Sequence, residues 1–437
     1  MTHAVVSVTC YMTHATYKCV ILSIMKTLSL SEELSWRGFV NQTTYKSISD
    51  LDAKPIAFYW GVDPSAPSMT IGNLAAAMMV RHFIDHGHKA VLLVGGATGM
   101  IGDPDGKSEE RALKSLDEIQ ANKHAIADQY KTIFGGLDFR LVDNYDWFKD
   151  MGYLQFLRDI GKHVPMRQMM GRDFVQKRLA EDGAGISYAE FSYVLIQAYD
   201  FLYLHEKHDV TLQVCGSDQW GNSIAGVDLI RRITGREAHV WSAPLIVNKA
   251  SGVKFGKSED GAVWLDDNLT SVFKFYQFWL NTDDESAEDY LKVYTLLSMP
   301  EIDKIIDEFK QNPSDRLAQK TLAYEVTKLI HGKGRTDSVK KASEVLFGQG
   351  IFTELGKTEI EVLRSELSTA KAQNNIAHTL VAAGLASSNS EAMRFVAEGS
   401  VSVNGQKLAP ELPIEYKKGA NLIKRGKNNF AIVDYSH

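Results

Sequence analysis

An α/β fold with a parallel sheet, followed by a helical domain and a small α+β domain, is what this sequence predicts. Three observations carry that expectation. Short apolar runs alternate with helical patterns through the first half of the chain, residues 270–350 are helical in pattern, and the last stretch switches to short elements around an Asn-Gly turn. A chain of 437 residues suits two or three domains. With 44% hydrophobic and 23% charged residues, the composition is that of an ordinary globular protein rather than a disordered or fibrous one.

Residues 1–24 precede the first regular pattern. They are mildly apolar, but His14 and Lys18 interrupt any run able to span a bilayer. A secretory signal would need a basic start and a small-residue cleavage site, and a transit peptide would be Arg-rich, whereas the first arginine is Arg37. The fold is therefore expected to begin at Met25, with 1–24 an extension outside it. No membrane span is expected. Cys10, Cys19 and Cys215 form neither a CxxC pair nor an even-numbered framework, which excludes a disulfide scaffold and a zinc site and suggests a reducing, cytoplasmic setting. The net charge of −6 does not advertise a nucleic-acid binder, yet a basic face can be local.

The first domain is expected over 25–247. Residues 56–62 (IAFYWGV) read as a buried strand, followed by the turn-rich DPSAPSM and an apolar helix over about 71–86. A strand at 89–96 leads into a glycine-rich loop, ATGMIGDPDGK. A helix over about 117–134 and the strand FRLVDN follow. About 145–206 is helical and is expected as an insertion; VTLQVCG at 210–216 then returns to strand, and HVWSAPLIV at 239–247 is the last strand. This βαβ rhythm implies a parallel sheet.

Residues 248–269 form a loop and linker around NKASGVKFGKSEDG. In the helical domain at 270–350, Pro313, Gly332 and Gly334 act as punctuation. A linker is expected at 351–373 and a small α+β domain at 374–437. There, Ile376, Leu380, Ala392, Phe395 and Val396 keep helical spacing, and Asn404-Gly405 makes the preferred two-residue hairpin turn.

Five segments carry chemistry. In YWGVDPSAPSMTIGNL (59–74) a strand end, a proline-fixed loop and a helix start come together, and Gly72 lets a ligand lie against the backbone. The plainer reading is a simple connection capped by Ser68. GGATGMIGDPDGKSEER (95–111) suggests a nucleotide-facing turn, but only three residues separate Gly102 from Gly106, so the GKS there is not a phosphate-binding P-loop.

KFGKS (254–258) offers two lysines and a hydroxyl to a departing pyrophosphate, and otherwise reads as a solvated glycine-rich loop. On FSYVLIQAYDF, Tyr193, Gln197 and Asp200 fall at i, i+4 and i+7 and share a helix face, as a ligand pocket or as a hydrogen-bonded core network. Gln213, Gly216, Asp218 and Gln219 lie at the carboxyl end of a strand, where open α/β sheets bind ligands.

Together these segments resemble the bacterial tyrosyl-tRNA synthetases of class I from about Trp36 to the C-terminus. YWGVDPSAPSMTIGNL is similar to that family's segment containing the HIGH signature, and KFGKS is similar to its KMSKS signature. The resemblance implies a Rossmann-like catalytic domain with a helical insertion, an α-helical anticodon-binding domain and a C-terminal S4-like RNA-binding domain. By position it implies that Asp103, Tyr193 and Gln197 hold the α-amino group of tyrosine, that Tyr59 and Asp200 grip its phenol, and that Gln213 and Gly216 complete the pocket. Gly61, Asp63, Gly72, Gly216, Asp218 and Gln219 would contact the adenylate. Ser65, Thr70, Asn73, Lys107, Arg111, Lys254, Lys257 and Ser258 would serve the triphosphate and catalysis.

The two HIGH histidines are Thr70 and Asn73 here; Asn73 keeps a donor, while Thr70 brings a hydroxyl in place of an imidazole. The resemblance further implies ATP as substrate with Mg2+ on its phosphates, no tightly bound cofactor, tRNA(Tyr) as acceptor and a homodimer. The nearest rival, a tryptophanyl-tRNA synthetase, fits Tyr59 and Asp200 less well, and a non-catalytic RNA-binding relative fits Lys254, Lys257, Asp103 and Asp200 less well. From residue 372 on there are seven Lys/Arg against five Asp/Glu, with Lys417, Lys418, Lys424, Arg425 and Lys427 clustered, a modest basic footprint for RNA.

Overall fold

The computed structural model describes residues 28–104, 114–180, 183, 185–247, 255, 257–258, 261–348, 350–408 and 415–436. The extension at 1–24 lies outside them. Six strands make the main sheet: β1 Gln42–Thr43, β2 Ala57–Val62, β3 Lys89–Val94, β4 Phe139–Asp143, β5 Val210–Gly216 and β6 His239–Ala243, in the order β1-β6-β5-β2-β3-β4. All pairs are parallel except β1 with β6. That two-residue antiparallel edge carries too little pattern to be read from sequence, and β6 stops at Ala243, short of the expected 247.

β2 is central, with β3 on one side and β5 on the other, so the chain direction of winding reverses there. Open α/β sheets form their ligand crevice at the carboxyl end of such a point. Alternation along β2 then decides what looks where. Phe58 and Trp60 enter the core shared with the helix Ile71–Asp85, whereas Tyr59 enters the core under the helix Tyr188–His208. Gly61 and Asp63 continue the Tyr59 face.

The glycine-rich stretch after β3 is more ordered than a loop: Gly96–Ile101 is a short helix. Gly96 leaves room for Asp143, since a Cβ there would come within 2.3 Å of its carboxylate. Helices between β4 and β5 form the insertion.

After β6, the two-residue strands β7 Lys257–Ser258 and β8 Gly261–Ala262 pair antiparallel. The helices Val272–Leu280, Ala287–Tyr294, Met299–Gln311, Leu317–His331 and Lys333–Phe347 follow, and their apolar faces join the core of the Ile71–Asp85 helix. Gly332 sits between the last two, but Gly334 lies inside the final one and does not break it. The N-terminal helix Leu30–Arg37 packs on this core through Leu30 and Leu34 and is tied to the helical block by a buried guanidinium. Arg37 donates to the main-chain oxygens of Lys292 (2.7 Å), Thr295 (3.1 Å) and Leu297 (2.8 Å), which satisfies carbonyls at a helix end.

The stretch expected as a linker at 351–373 holds structure of its own. The helix Lys357–Glu366 and strand β9 Ser368–Lys371 occupy it, and β9 pairs parallel with β13 Asn429–Tyr435 as the edge of a second sheet. β10 Val401–Val403, β11 Gln406–Lys407 and β12 Gly419–Arg425 complete that sheet in the order β11-β10-β12-β13-β9. Asn404 and Gly405 take positive φ (51° and 87°), as the two-residue turn between β10 and β11 requires. Arg364 binds both carboxylate oxygens of Asp434, and so fastens the helix before β9 to the last strand.

Candidate active site

The Tyr59 face of β2 and one face of the helix Tyr188–His208 enclose a polar pocket. Tyr59, Tyr193, Asp200 and Gln213 are all between 2% and 4% exposed. Tyr59 and Gln213 are register neighbours on β2 and β5, so their side chains leave the sheet side by side. Among the described residues, the Tyr59 hydroxyl, the Gln197 Oε1 and the Gln213 Oε1 are buried with no hydrogen-bond partner. Each such orphan costs about 1–3 kcal/mol, a cost that a polar ligand removes.

Asp200 is held from behind. Asn144 donates to its Oδ2 (3.0 Å) and the Trp147 indole to its Oδ1 (2.9 Å). Burial drives its carboxyl well above the ordinary carboxylate range; the two donors oppose that, and Asp63 and Asp143 add to it. Burial, with Asp200 and Cys215 nearby, likewise raises the Tyr59 hydroxyl well above 10.0, so it stays protonated and able to donate. A donor and a carboxyl oxygen as acceptor together fit a phenol, which both accepts and donates. Asn144 and Trp147 were not foreseen. They follow β4 with no spacing that relates them to Asp200.

At the other end, Asp63 accepts from Tyr193 (2.7 Å) and from Thr98 (2.6 Å). Asn144 also donates to Thr98 (3.0 Å), which links this carboxylate to the Asp200 support. Gln219 donates to Asp103 Oδ2, so two residues assigned by resemblance to different parts of the site lie in contact. Gly216 precedes them at the end of β5; a Cβ there would sit 2.6 Å from Asp218 Oδ1. A Cβ on Gly61 would come within 3.2 Å of the Leu93 side chain, and one on Gly72 would meet only Thr70 Oγ1, at 3.5 Å.

The start of the Ile71–Asp85 helix is capped by Thr70, not Ser68. Thr70 N–H and its hydroxyl both donate to Asn73 Oδ1 (2.9 and 3.0 Å), which commits the Asn73 oxygen and leaves its NH2 as the outward donor. Ser68 instead donates to the Met69 carbonyl and accepts from Gln129 and the Asp266 N–H. Ser65 N–H closes a tight turn on the Asp63 carbonyl (2.7 Å).

The segment after the lysine-rich loop is strapped to this helix start. Thr70 bridges Trp264, Ile71 N–H donates to Val263 O, and Leu265 N–H donates to Met69 O. Lys107, Arg111 and Lys254 lie outside the described residues. For Lys257 and Ser258 only the backbone, in β7, is described. Between Lys254 and Lys257, Phe255 is buried. It stacks on Tyr290 at 4.2 Å between ring centroids and is flanked by Phe278, Trp279 and Tyr294 from the helical block.

The site thus joins a crevice at the reversal point of a parallel sheet, a helix N-terminus at its mouth and, strapped to that helix start, the segment that follows a lysine-bearing strand. Residues 51–348 match the family described as tRNA synthetases class I (W and Y), and the chain belongs to that family. Residues 359–433 match the C-terminal domain described as tyrosine–tRNA ligase SYY-like.

The chain is 42% identical over 431 residues to the tyrosine–tRNA ligase of Flavobacterium psychrophilum, covering 93% of this chain and 99% of that one. It is 43% identical over 422 residues to the tyrosine–tRNA ligase of Staphylococcus haemolyticus, again covering 93% and 99%. Among solved structures, the C-terminally truncated mitochondrial tyrosyl-tRNA synthetase of Aspergillus nidulans superposes with a TM-score of 0.67 at 34% identity, covering 74% of this chain and 95% of that chain.

Proposed function

We propose that the chain is a tyrosine–tRNA ligase: it activates L-tyrosine with ATP to tyrosyl-adenylate and pyrophosphate, then transfers tyrosine to the 3′ end of tRNA(Tyr). One observation carries the amino-acid choice. The unpaired Tyr59 hydroxyl and the carboxyl of Asp200 lie together in a buried pocket, where a phenol pairs both and an indole or a bare phenyl ring does not. Leaving buried polar groups unpaired is how this family is known to reject phenylalanine.

In this reading Asp103, Tyr193 and Gln197 receive the α-amino group and Gln213 and Gly216 close the pocket. Gly61, Asp63, Gly72, Asp218 and Gln219 face the adenylate. The tyrosine carboxylate attacks the α-phosphorus in line and pyrophosphate leaves; a ribose hydroxyl of the tRNA then attacks the mixed anhydride. No side chain becomes a covalent nucleophile, so catalysis is positioning plus charge stabilisation. Ser65, Thr70, Asn73, Lys107, Arg111, Lys254, Lys257 and Ser258 supply donors and cations to the triphosphate. Mg2+ arrives as part of the MgATP substrate; among the described residues no cluster of three His, Cys, Asp or Glu could hold a metal.

The helical block and the C-terminal sheet domain are the surfaces we assign to tRNA. Tyr153, Leu154, Met166 and Tyr188 on the insertion are 60–78% exposed, an apolar face that supports a homodimer. No helix among the described residues is long and apolar enough to cross a membrane, and the reading places the enzyme in the cytoplasm. Amino-acid-dependent pyrophosphate exchange tests the proposal. Tyrosine is expected to support exchange, whereas tryptophan and phenylalanine are not; exchange with tryptophan alone overturns it.

A further inference from the structure

The insertion reaches the amino-acid end of the pocket through a chain of hydrogen bonds with one direction. Arg172, just before the helix Asp173–Leu179, donates from Nη1 to Asn222 Oδ1. Asn222 donates from Nδ2 to Gln219 Oε1 at 3.1 Å, and Gln219 donates from Nε2 to Asp103 Oδ2. Asn222 is only 3% exposed. The Arg172 guanidinium lies against the backbone at the start of the helix Trp220–Thr234, because Gly221 has no side chain: a Cβ there would come within 3.2 Å of Arg172 Nη2. Arg172, Asn222, Tyr193 and Pro104 also line a common recess beside the pocket.

We infer that Arg172 and Asn222 are positioning residues that fix which way the Gln219 amide faces, and through it the carboxylate of Asp103. The logic is one of donors and acceptors. A guanidinium has no acceptor, so Asn222 must turn its oxygen to Arg172 and its NH2 to Gln219. Gln219 must then turn its oxygen to Asn222 and its NH2 to Asp103. With a cation at one end and a carboxylate at the other, every link is polarised the same way, and reversing one amide opposes two acceptors at the next contact. Two amides that would otherwise be free to rotate by half a turn thus have one orientation. This inference rests on the assignment of Asp103 to the tyrosine amino group.

The test compares two replacements at one position. Asn222→Asp keeps an acceptor for Arg172 but has no proton to give Gln219. Gln219 then turns its NH2 toward residue 222 and its oxygen toward Asp103. Asn222→Ala removes the amide and leaves Gln219 free to stay as it is. In pyrophosphate exchange, Asn222→Asp is expected to raise the KM for tyrosine about tenfold and above that of Asn222→Ala. A tyrosine KM for Asn222→Asp equal to or below that of Asn222→Ala overturns the inference.

Arg172→Gln is a second probe should Asn222 variants fold poorly. It restores an acceptor at the head of the chain, allows both amides to flip, and is expected to raise the tyrosine KM where Arg172→Lys largely preserves it; equal effects count against the chain. Asp103→Asn run in parallel separates the two levels. If it binds tyrosine normally, the amino-end assignment fails; if it is impaired while Asn222→Asp is not, only the chain fails.

Discussion

The Trp147 indole donates a 2.9 Å hydrogen bond to Oδ1 of Asp200, a carboxyl that is 2% exposed. With Asn144 on the other oxygen, it fixes the plane of the group that faces the proposed phenol.

Replacing that donor tests how much the support matters. Trp147→Phe keeps a ring against Tyr203, on which the indole stacks at 4.4 Å, but removes the N–H. A hydrogen bond to such a group contributes about 1.5 kcal/mol, so tyrosine affinity by calorimetry is expected to fall about tenfold. ATP affinity should not change. Unchanged tyrosine binding would show that Asn144 suffices.

Tyr59→Phe deletes an unpaired buried hydroxyl. The ligand-free protein is therefore expected to keep its urea midpoint or gain about 1 kcal/mol, because an unsatisfied group disappears without opening a cavity. Preference for tyrosine over phenylalanine in pyrophosphate exchange should meanwhile fall at least about tenfold. A large loss of stability would mean that the hydroxyl already has a partner inside the protein.

Acid should loosen the attachment of the N-terminal helix. Burial alone would raise the Glu33 carboxyl, but the His86 hydrogen bond, His82 and Arg37 together outweigh it and hold it at about 2 instead of 4.5. Burial, with Arg37 nearby, lowers His82 from 6.5 to about 3. Both folded values lie below the unfolded ones, so the unfolded chain takes up more protons and stability falls with pH. The His82 contribution is lost as pH drops from 6.5 toward 3, and that of Glu33 from 4.5 toward 2. His86, raised chiefly by its bond to Glu33, works the other way and loses its contribution as pH rises above 6.5. Urea midpoints at pH 7, 5 and 4 should decline in that order, and Glu33→Gln should flatten the step between 5 and 4.

Phe255 anchors the lysine-bearing loop to the helical block. Phe255→Ala empties a ring-lined site and is expected to cost about 3 kcal/mol of stability. Single-turnover adenylate formation should slow with little change in tyrosine affinity, and Phe255→Leu should recover part of the rate. If both variants form adenylate at the wild-type rate, the anchor does not position Lys254 and Lys257.

Periodicity made much of the pocket readable. Tyr193, Gln197 and Asp200 fall on one helix face by spacing alone, whereas IAFYWGV reads only as a buried strand and the fold itself separates Tyr59 from Phe58 and Trp60. Asn144 and Trp147 could not be reached that way, because their relation to Asp200 is set by packing between distant segments. β9 escaped for a related reason: it is a short, largely exposed run, Ser368–Lys371, whose partner β13 lies far along the chain. The helix Gly96–Ile101 was hidden by its glycines, Gly96 and Gly99, which admit the close approach of Asp143 and Pro64.

A crystal structure of the chain with bound tyrosine tests the central claim most directly. The phenolic oxygen is expected within hydrogen-bonding distance of both the Tyr59 hydroxyl and an Asp200 carboxyl oxygen, with the amino group at Asp103, Tyr193 and Gln197. A ring bound elsewhere, or one turned so that its oxygen meets neither side chain, would contradict it.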